Sequence, residues 1–146
     1  MLDELEERLG KRRYLFGSSP VESDWRLFVT LVRFDLVYYV HFKCNLRLVA
    51  QYKNLSGYLR DLYQIDGIAE TVDSDHIKRH YYVTHAYINP TRIVPVGPLQ
   101  DLTAPHGRER LVACNSQLCI TQSDETHLRI SNSRVWPRRC SVRYTA

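Results

Sequence analysis

Residues 22–41 read ESDWRLFVTLVRFDLVYYVH, and this stretch decides the fold. Wound as a helix, it is apolar on nearly every side, and its polar positions Arg26, Thr30 and Arg33 form one narrow stripe. A helix that is apolar almost all round lies at the buried centre of a bundle. The stretch therefore predicts an all-α helical bundle around one long buried central helix.

The residues around the start of this helix predict how it begins. Ser19 and Glu22 have the spacing of a capping box, and Pro20 falls at the first helical position, where a missing N–H costs little. Asp24 offers a second carboxylate to the same backbone amides. We therefore expect Ser19 and Asp24 to have structural roles, and Trp25 to be a core or interface residue.

Asp35 is the acidic residue in the middle of the central helix. A carboxylate inside a core needs hydrogen-bond or charge partners, so we expect a structural role for it. Arg26, Arg33 and Lys43 are candidate partners for Asp35, or they contact another domain. The sequence leaves both alternatives open.

Apolar residues at helical spacing predict two further helices. The first covers residues 2–9, with Gly10 as the residue that ends it. The second has Asn54 as its N-cap and is broken by Asp66 and Gly67. Its apolar face consists of Leu55, Tyr58, Leu59, Leu62 and Tyr63.

The sequence from residue 68 onward predicts shorter elements and an extended segment. A short helix over residues 68–72 leads to Asp73, which can cap a helix over residues 75–82. Residues 89–98, NPTRIVPVGP, are rich in Pro and Gly. This composition predicts an extended segment that lies over the surface.

The composition is that of one soluble globular domain, with 146 residues, 44% hydrophobic and 25% charged. The longest apolar stretch, residues 27–42, is shorter than the ~20 residues of a membrane span and contains Arg33 and Asp35. Met1 is followed by acidic residues rather than by a signal peptide. We therefore expect a cytoplasmic protein whose four cysteines are thiols.

The basic excess is concentrated in the last quarter of the chain. Residues 1–110 hold 15 Lys and Arg against 14 Asp and Glu, whereas residues 111–146 hold 5 Arg against 2 acids. The near-neutral first part gives no electrostatic argument for nucleic-acid binding. Because residues 111–146 also lack helical or strand periodicity, we divide the chain into a helical domain, 1–110, and an atypical tail, 111–146. We expect the tail to be disordered, an unrelated extension or the product of a shifted reading frame.

A series of strings follows in order along residues 2–110. They are ESDWRLF from residue 22, RFD from 33, HFKCNL from 41, NLSGYLRDLY from 54, DHIKRHYY from 75, INPT from 88, PVGP from 95 and PHGR from 105. Together they resemble the glutathionyl-hydroquinone reductases, the Xi class of glutathione transferases. The resemblance implies the C-terminal helical domain of such an enzyme, which forms the hydroquinone pocket and makes the homodimer.

The resemblance also implies a two-domain enzyme that uses glutathione as co-substrate. A thioredoxin-like domain, which we expect to be missing here together with the first part of the helical domain, carries the catalytic cysteine and most of the glutathione site. Its cysteine thiolate attacks the thioether sulfur of a glutathionyl-hydroquinone, and a second glutathione resolves the mixed disulfide. We therefore expect no catalytic residue in this chain and no reductase activity of the chain alone.

Tyr81 is our first candidate for a substrate contact, because the first tyrosine of the His-Tyr-Tyr string lines the hydroquinone pocket in the family that the chain resembles. A phenol stays protonated at neutral pH and can donate to a quinol oxygen or to a developing oxyanion. His80 and His85 are candidates to orient Tyr81 or the ligand, and Tyr82 belongs to the same predicted substrate-binding group. The alternative is that these side chains only pack against the core or lie on the surface.

Other reactive residue types are weaker candidates. His76 and His80 lie four apart on one helical face, but no third ligand follows at a fixed spacing and Lys78 and Arg79 repel a cation, so we predict no metal site. Cys44 follows a helix C-terminus, where the helix dipole disfavours a thiolate and hence a nucleophilic role. We therefore expect Cys44 to be a buried structural thiol. Two cysteines of the tail are expected to be incidental thiols: Cys114 and Cys119.

Three classes of function follow from these observations. The first is the substrate-binding domain of a glutathione transferase family enzyme. The second is a non-catalytic helical module that dimerises or binds a protein partner. The third, nucleic-acid binding through the arginines of the tail, is disfavoured, and we predict neither nucleic acid nor membrane among the partners.

Overall fold

The computed structural model describes residues 1–112 of the chain. These residues contain no strand, which confirms the all-α prediction. Their four α-helices are α1 (Leu2–Lys11), α2 (Glu22–Arg33), α3 (Lys53–Tyr63) and α4 (Ser74–Thr84). Short 3₁₀ turns lie at Val49–Gln51, Ala69–Thr71 and Glu109–Val112. The predicted tail beyond residue 112, with Cys114 and Cys119, lies outside the described residues.

The predicted central helix is present as α2 and a π-helical turn, Phe34–Tyr38, that continues it. The backbone N–H of Tyr39 donates to the carbonyl of Phe34 at 2.9 Å, which is the wider hydrogen bond of a π turn. Leu31 and Val37 are completely buried, whereas Val29 on the opposite side is 47% exposed. The helix is therefore less fully buried than its composition predicts, because only one of its sides is completely covered.

The main core lies between α1, α2 and α3. Its completely buried members are leucines of all three helices, Val49 and Tyr58, and burying each leucine stabilises the fold by about 2 kcal/mol. Trp25 is partly buried at the edge of this core, with its ring edge-on to Phe28 at 6.0 Å. A second, smaller cluster joins the π turn to α4 through Leu36, Val37 and Tyr82. This second cluster fixes α4 beside the end of the central helix.

The predicted N-terminal cap of the central helix is wrong in position. The N-cap residue is Val21, so Ser19 and Pro20 lie before the helix rather than at its cap and first position. Asp24, the third helical residue, accepts a hydrogen bond from the Val21 N–H at 2.9 Å. Asp24 thus takes the role that the pattern assigns to Glu22, the carboxylate that accepts from the backbone N–H of the N-cap residue.

The Asp24 carboxylate also joins segments that are distant in sequence. It is completely buried and accepts from the backbone N–H of Leu15 at 2.9 Å and from the hydroxyl of Tyr58 at 2.8 Å. These hydrogen bonds offset the energetic cost of burying the Asp24 carboxylate away from water. Asp24 therefore holds the turn before α2 against α3.

The start of α3 corrects two expectations. The cap is the Glu6 carboxylate of α1, which accepts from the backbone N–H groups of Asn54 and Leu55, both at 2.8 Å, whereas Asn54 itself is inside the helix. Gly10 does not end α1, which continues to Lys11. A Cβ at Gly10 would lie 3.0 Å from Nδ2 of Asn54, so this glycine permits the close approach of the two helices.

The later elements follow the predictions closely. The Asp73 side chain caps α4 by accepting from the His76 N–H at 2.9 Å, as predicted. Residues 92–108 contain no helix and lead across the surface to the final 3₁₀ turn, which agrees with the predicted extended segment. Tyr63 and its neighbours on α3 form the predicted apolar face.

Asp35 is completely buried, and its partners are uncharged. It accepts from the backbone N–H groups of Val49 and Ala50, at 2.7 and 3.0 Å, and from the side-chain amide of Gln100. Burial raises the pKa of Asp35, and these three hydrogen bonds oppose the shift. The cations considered as candidate partners of Asp35 instead bond to groups within four residues of themselves: Arg26, Arg33 and Lys43.

Candidate functional site

A hollow of about 280 Å³ opens between the end of α2 and one face of α4. It is lined by Arg33 from α2 and by His76, Ile77, His80 and Tyr81 from α4. The four residues of α4 lie at positions i, i+1, i+4 and i+5, which places them along one side of the helix. The second core cluster holds this side of α4 against the π turn, so the lining is positioned by packing.

Tyr81, the first candidate of the sequence analysis, lies in this lining and is half-buried. Its ring is edge-on to four aromatic neighbours, which are His41 at 6.4 Å, Phe42 at 5.9 Å, His80 at 5.1 Å and His85 at 5.3 Å. Such edge-to-face contacts favour one orientation of the ring. The Tyr81 hydroxyl forms no hydrogen bond with any residue in the range 1–112, so it is available to a ligand.

Tyr82 has a different environment from Tyr81. It is buried, its hydroxyl donates to the carbonyl of Leu36 at 3.2 Å, and burial raises the pKa of this phenol. It also lines a second hollow of about 210 Å³, together with His41, Lys43 and Asn89. The hydroxyl of Tyr82 thus has a partner within the protein, and its predicted contact with substrate stays a prediction.

His85 lies behind Tyr81 rather than in the lining of the 280 Å³ hollow. Its Nδ1 is 3.3 Å from Nε2 of His41, a residue that is only 2% exposed. Burial lowers the pKa of His41, and the neighbouring His85 and Lys43 lower it further. The two ring nitrogens are within hydrogen-bond distance, so one imidazole can donate to the other.

Sequence reasoning did not single out His41. It is the last residue of the predicted central helix, and nothing in its local spacing distinguishes it from a capping residue. Its partner is 44 positions away, so the pair becomes visible only when α4 is docked on the π turn. The only sequence signal for His41 was its place in the His-Phe-Lys-Cys string, which contributes to the family resemblance but gives no role for the imidazole.

Arg33 gives the hollow its electrostatic character. Its guanidinium donates to the Val29 carbonyl at 2.6 Å, one turn earlier in α2, and the residue also lines the hollow. A fixed cation beside a free phenol favours an anionic oxygen more than a neutral one. The hollow can therefore accept a small aromatic compound whose oxygen carries or develops negative charge.

The remaining reactive residues lie elsewhere. Cys44 is exposed, so the prediction of a buried thiol is wrong; it follows the π turn in a loop, and its Sγ is 3.9 Å from the carbonyl oxygen of Phe42. Within residues 1–112 no group of three or more His, Cys, Asp or Glu side chains is placed to hold a metal ion. No helix in the described part of the chain is long and apolar enough to cross a membrane.

Comparison with protein families places residues 1–61 in the glutathione S-transferase C-terminal domain. The chain is similar to the glutathionyl-hydroquinone reductase YqjG of Escherichia coli, with 56% identity over 108 residues, which are 74% of this chain and 33% of that protein. It is also similar to the glutathionyl-hydroquinone reductase PcpF of Sphingobium chlorophenolicum, with 52% identity over 69% of this chain and 32% of the relative. The chain thus spans about a third of the length of these curated relatives.

Solved structures give the same result for the fold. The glutathione-bound structure of YqjG from Escherichia coli matches 73% of this chain and 35% of its own, with a TM-score of 0.72 and 56% identity. A Xi-class glutathione transferase from Natrialba magadii matches 75% of this chain and 34% of its own, with a TM-score of 0.74 and 52% identity.

Proposed function

We propose a function for the chain as a member of the glutathione S-transferase family, to which it belongs through its C-terminal-type helical domain. In this proposal residues 1–110 form the hydroquinone side of the active site of a cytoplasmic enzyme that removes glutathione from glutathionyl-hydroquinones. The same residues also carry the surface of a homodimer. Two relatives with this domain are glutathionyl-hydroquinone reductases, which supports the choice of reaction class.

The proposed reaction consumes one glutathione for each hydroquinone released. A cysteine thiolate of a thioredoxin-like domain attacks the thioether sulfur, the carbon–sulfur bond breaks, and the ring carbon takes up a proton. The cysteine is left in a mixed disulfide with glutathione, which a second glutathione thiolate resolves to give glutathione disulfide and the free cysteine. The nucleophile and most of the glutathione site lie outside this chain in the proposal, so residues 1–146 alone have no turnover.

Tyr81 is the residue of this chain that acts on the hydroquinone. Its hydroxyl donates to a quinol oxygen and stabilises the oxyanion that forms as the ring carbon is protonated. The single observation that carries this role is the Tyr81 hydroxyl, which has no hydrogen-bond partner within residues 1–112 and lies in the lining of a hollow that Arg33 also lines. Arg33 adds a positive charge that favours the same oxyanion.

The neighbours of Tyr81 have supporting roles in the proposal. His80 lies in the lining beside Tyr81 and contacts the ring of the bound diol, whereas His85 orients the Tyr81 ring from behind. Tyr82 supports the lining through its buried ring, because its hydroxyl is bonded to Leu36. In this proposal, only Tyr81 and His80 of the four residues contact the substrate directly.

A binding experiment on the chain itself tests the proposed hollow. Under anaerobic conditions, 1,4-benzohydroquinone is titrated into isotopically labelled protein and followed by NMR. We expect the largest shift changes at the α4 residues of the lining, and weaker binding by Tyr81→Phe but not by the matched control Tyr63→Phe, which lies on α3. Shift changes confined to other surfaces, or equal affinity of both variants, would contradict the proposal.

A non-catalytic interaction module is the second candidate, and exposed apolar side chains favour it. Ile93, Val96 and Leu99 of the extended segment are 68 to 82% exposed, which is unusual for three large apolar residues so close in sequence. Light scattering on the purified chain distinguishes the two candidates when it is combined with the titration. A defined dimer with no hydroquinone binding supports the interaction module.

A further inference from the structure

A second cleft, of about 440 Å³, lies between α3 and the segment formed by residues 105–111. Its volume is in the range of small-molecule sites. Basic residues dominate its lining, and no carboxylate among the described residues takes part in it. The basic members are Lys53, Arg60, His106, Arg108 and Arg110.

The two sides of this cleft are held at a fixed distance by backbone packing. Gly57 of α3 faces the segment so closely that a Cβ there would lie 2.9 Å from the carbonyl oxygen of His106. Arg108 is 3% exposed and anchors the segment, because its Nη1 donates to the carbonyl of Asn54 at 3.2 Å and its Nη2 to the carbonyl of Leu9 at 2.9 Å. The cleft is therefore formed by packed backbone and a buried arginine rather than by surface side chains alone.

Two guanidinium groups of the cleft keep unused hydrogen-bond donors. The Nε–H groups of Arg60 and Arg108 are buried and have no partner among the described residues. Buried unpaired donors are uncommon, and they show that the protein does not use the full hydrogen-bonding capacity of these two guanidinium groups. Burial also lowers the pKa of the Arg108 guanidinium, a shift that a bound anion would oppose.

The carboxylates close to the cleft have partners of their own. Glu6 caps α3, and Asp61 is bonded in a bidentate pair to Arg13 at 2.7 and 2.8 Å. Nε2 of His106 lies 3.8 Å from Oδ1 of Asp61 and 3.5 Å from Oε1 of Glu109, and Glu109 is largely exposed. Because Asp61 and Glu6 also act on the charge of Arg108, the excess positive charge of the cleft comes from its other basic residues.

We propose that this cleft binds a small phosphate-bearing anion. Arg60 and Arg110 contact the phosphate oxygens by charge-assisted hydrogen bonds, Lys53 adds charge at the end of the cleft nearest α1, and Arg108 provides the rigid floor. No residue of the 280 Å³ hollow takes part, so the proposal is independent of the hydroquinone assignment.

Calorimetry on the full 146-residue chain tests this proposal, with inorganic pyrophosphate as the probe and inorganic phosphate and sulfate for comparison. We expect pyrophosphate to bind in a salt-dependent manner, and Arg60→Gln combined with Arg110→Gln to weaken it by about tenfold or more. The matched control Arg26→Gln, which removes one positive charge from the exposed face of α2, should leave the affinity within about twofold. Lys53→Gln is a second variant, which removes a positive charge from the cleft without removing a buried contact.

NMR locates the binding independently of the affinity. The amide signals of Gly57 and Gly107, which border the cleft, are expected to shift during the pyrophosphate titration. Binding that survives the double substitution, or shifts confined to residues beyond 112, would place the anion on the arginines of the tail and overturn the proposal. Equal weakening by Arg26→Gln would show a general charge effect and overturn it as well.

Discussion

Nη2 of Arg108 lies 2.9 Å from the carbonyl oxygen of Leu9, so a residue near the end of the helical domain closes the end of its first helix. The same nitrogen contacts the carbonyls of Arg12 and Arg13 at 2.7 and 2.8 Å. These carbonyls belong to the last turn of α1 and the residues after it, where no intrahelical donor is available. The helix dipole also favours a positive charge at this position.

Replacing Arg108 with Ala should strongly destabilise the fold. The substitution leaves buried carbonyl oxygens without donors, and we expect a loss of about 3 kcal/mol in the free energy of unfolding. Urea denaturation followed by circular dichroism measures this loss. Arg110→Ala, two residues later and exposed, is the matched control and should change the free energy little. A similar effect of both substitutions would contradict the role assigned to Arg108.

Asp24→Ala should also be costly, because the carboxylate is completely buried and satisfies three donors. We expect a loss of about 3 kcal/mol, more than the ~1 kcal/mol typical of an exposed N-cap. Tyr58→Phe removes one of the three hydrogen bonds and should cost about 1 kcal/mol. Asp75→Ala, which removes an exposed acid from the first turn of α4, is the control. An equal loss of unfolding free energy in Asp24→Ala and Asp75→Ala would contradict the role assigned to Asp24.

The His41–His85 pair predicts a pH dependence of stability. Because the pKa of His41 is lowered in the folded protein, the unfolded chain binds more protons below its ordinary pKa of 6.5. The contribution of His41 to the free energy of unfolding is fully present above pH 6.5. It is lost as the pH falls from 6.5 to the pKa that His41 has in the folded protein. Urea titrations between about pH 5 and 7.5 should show stability rising with pH.

A His41→Gln variant serves as the control for this prediction. Glutamine keeps a hydrogen-bonding group beside His85 but does not titrate, so the slope of stability against pH should be shallower. An unchanged slope would assign the dependence to other groups, and the prediction for His41 would then be wrong.

Local patterns predicted the elements of this fold well and their polar contacts poorly. The Asp73 cap was predictable because its acceptor and donor lie three residues apart. The capping of α3 by Glu6 was not, since its atoms come from residues 48 apart in the chain. The N-cap was wrongly assigned to Ser19 for the same reason. The position of Asp24 depends on a hydrogen bond from Tyr58, which lies 34 residues away in the sequence.

The candidate site shows the same limit. Tyr81 and His80 were found because they share one string of sequence, and the structure places both in one hollow. His41 and Arg33 were not assigned to the site, because only the docking of α4 on the central helix brings them to it. Cys44 was predicted to be buried from its residue type, whereas the loop after the π turn leaves it exposed.

The central claim is that the hollow at Tyr81 binds the hydroquinone of a deglutathionylation reaction. Its most direct test joins this chain to the preceding portion of the Escherichia coli relative and measures kcat with a glutathionyl-hydroquinone and glutathione. The account predicts an active chimera in which Tyr81→Phe lowers kcat by about a hundredfold, while Tyr63→Phe leaves it unchanged. A folded but inactive chimera, or one in which Tyr81→Phe turns over as fast as the parent, would contradict it.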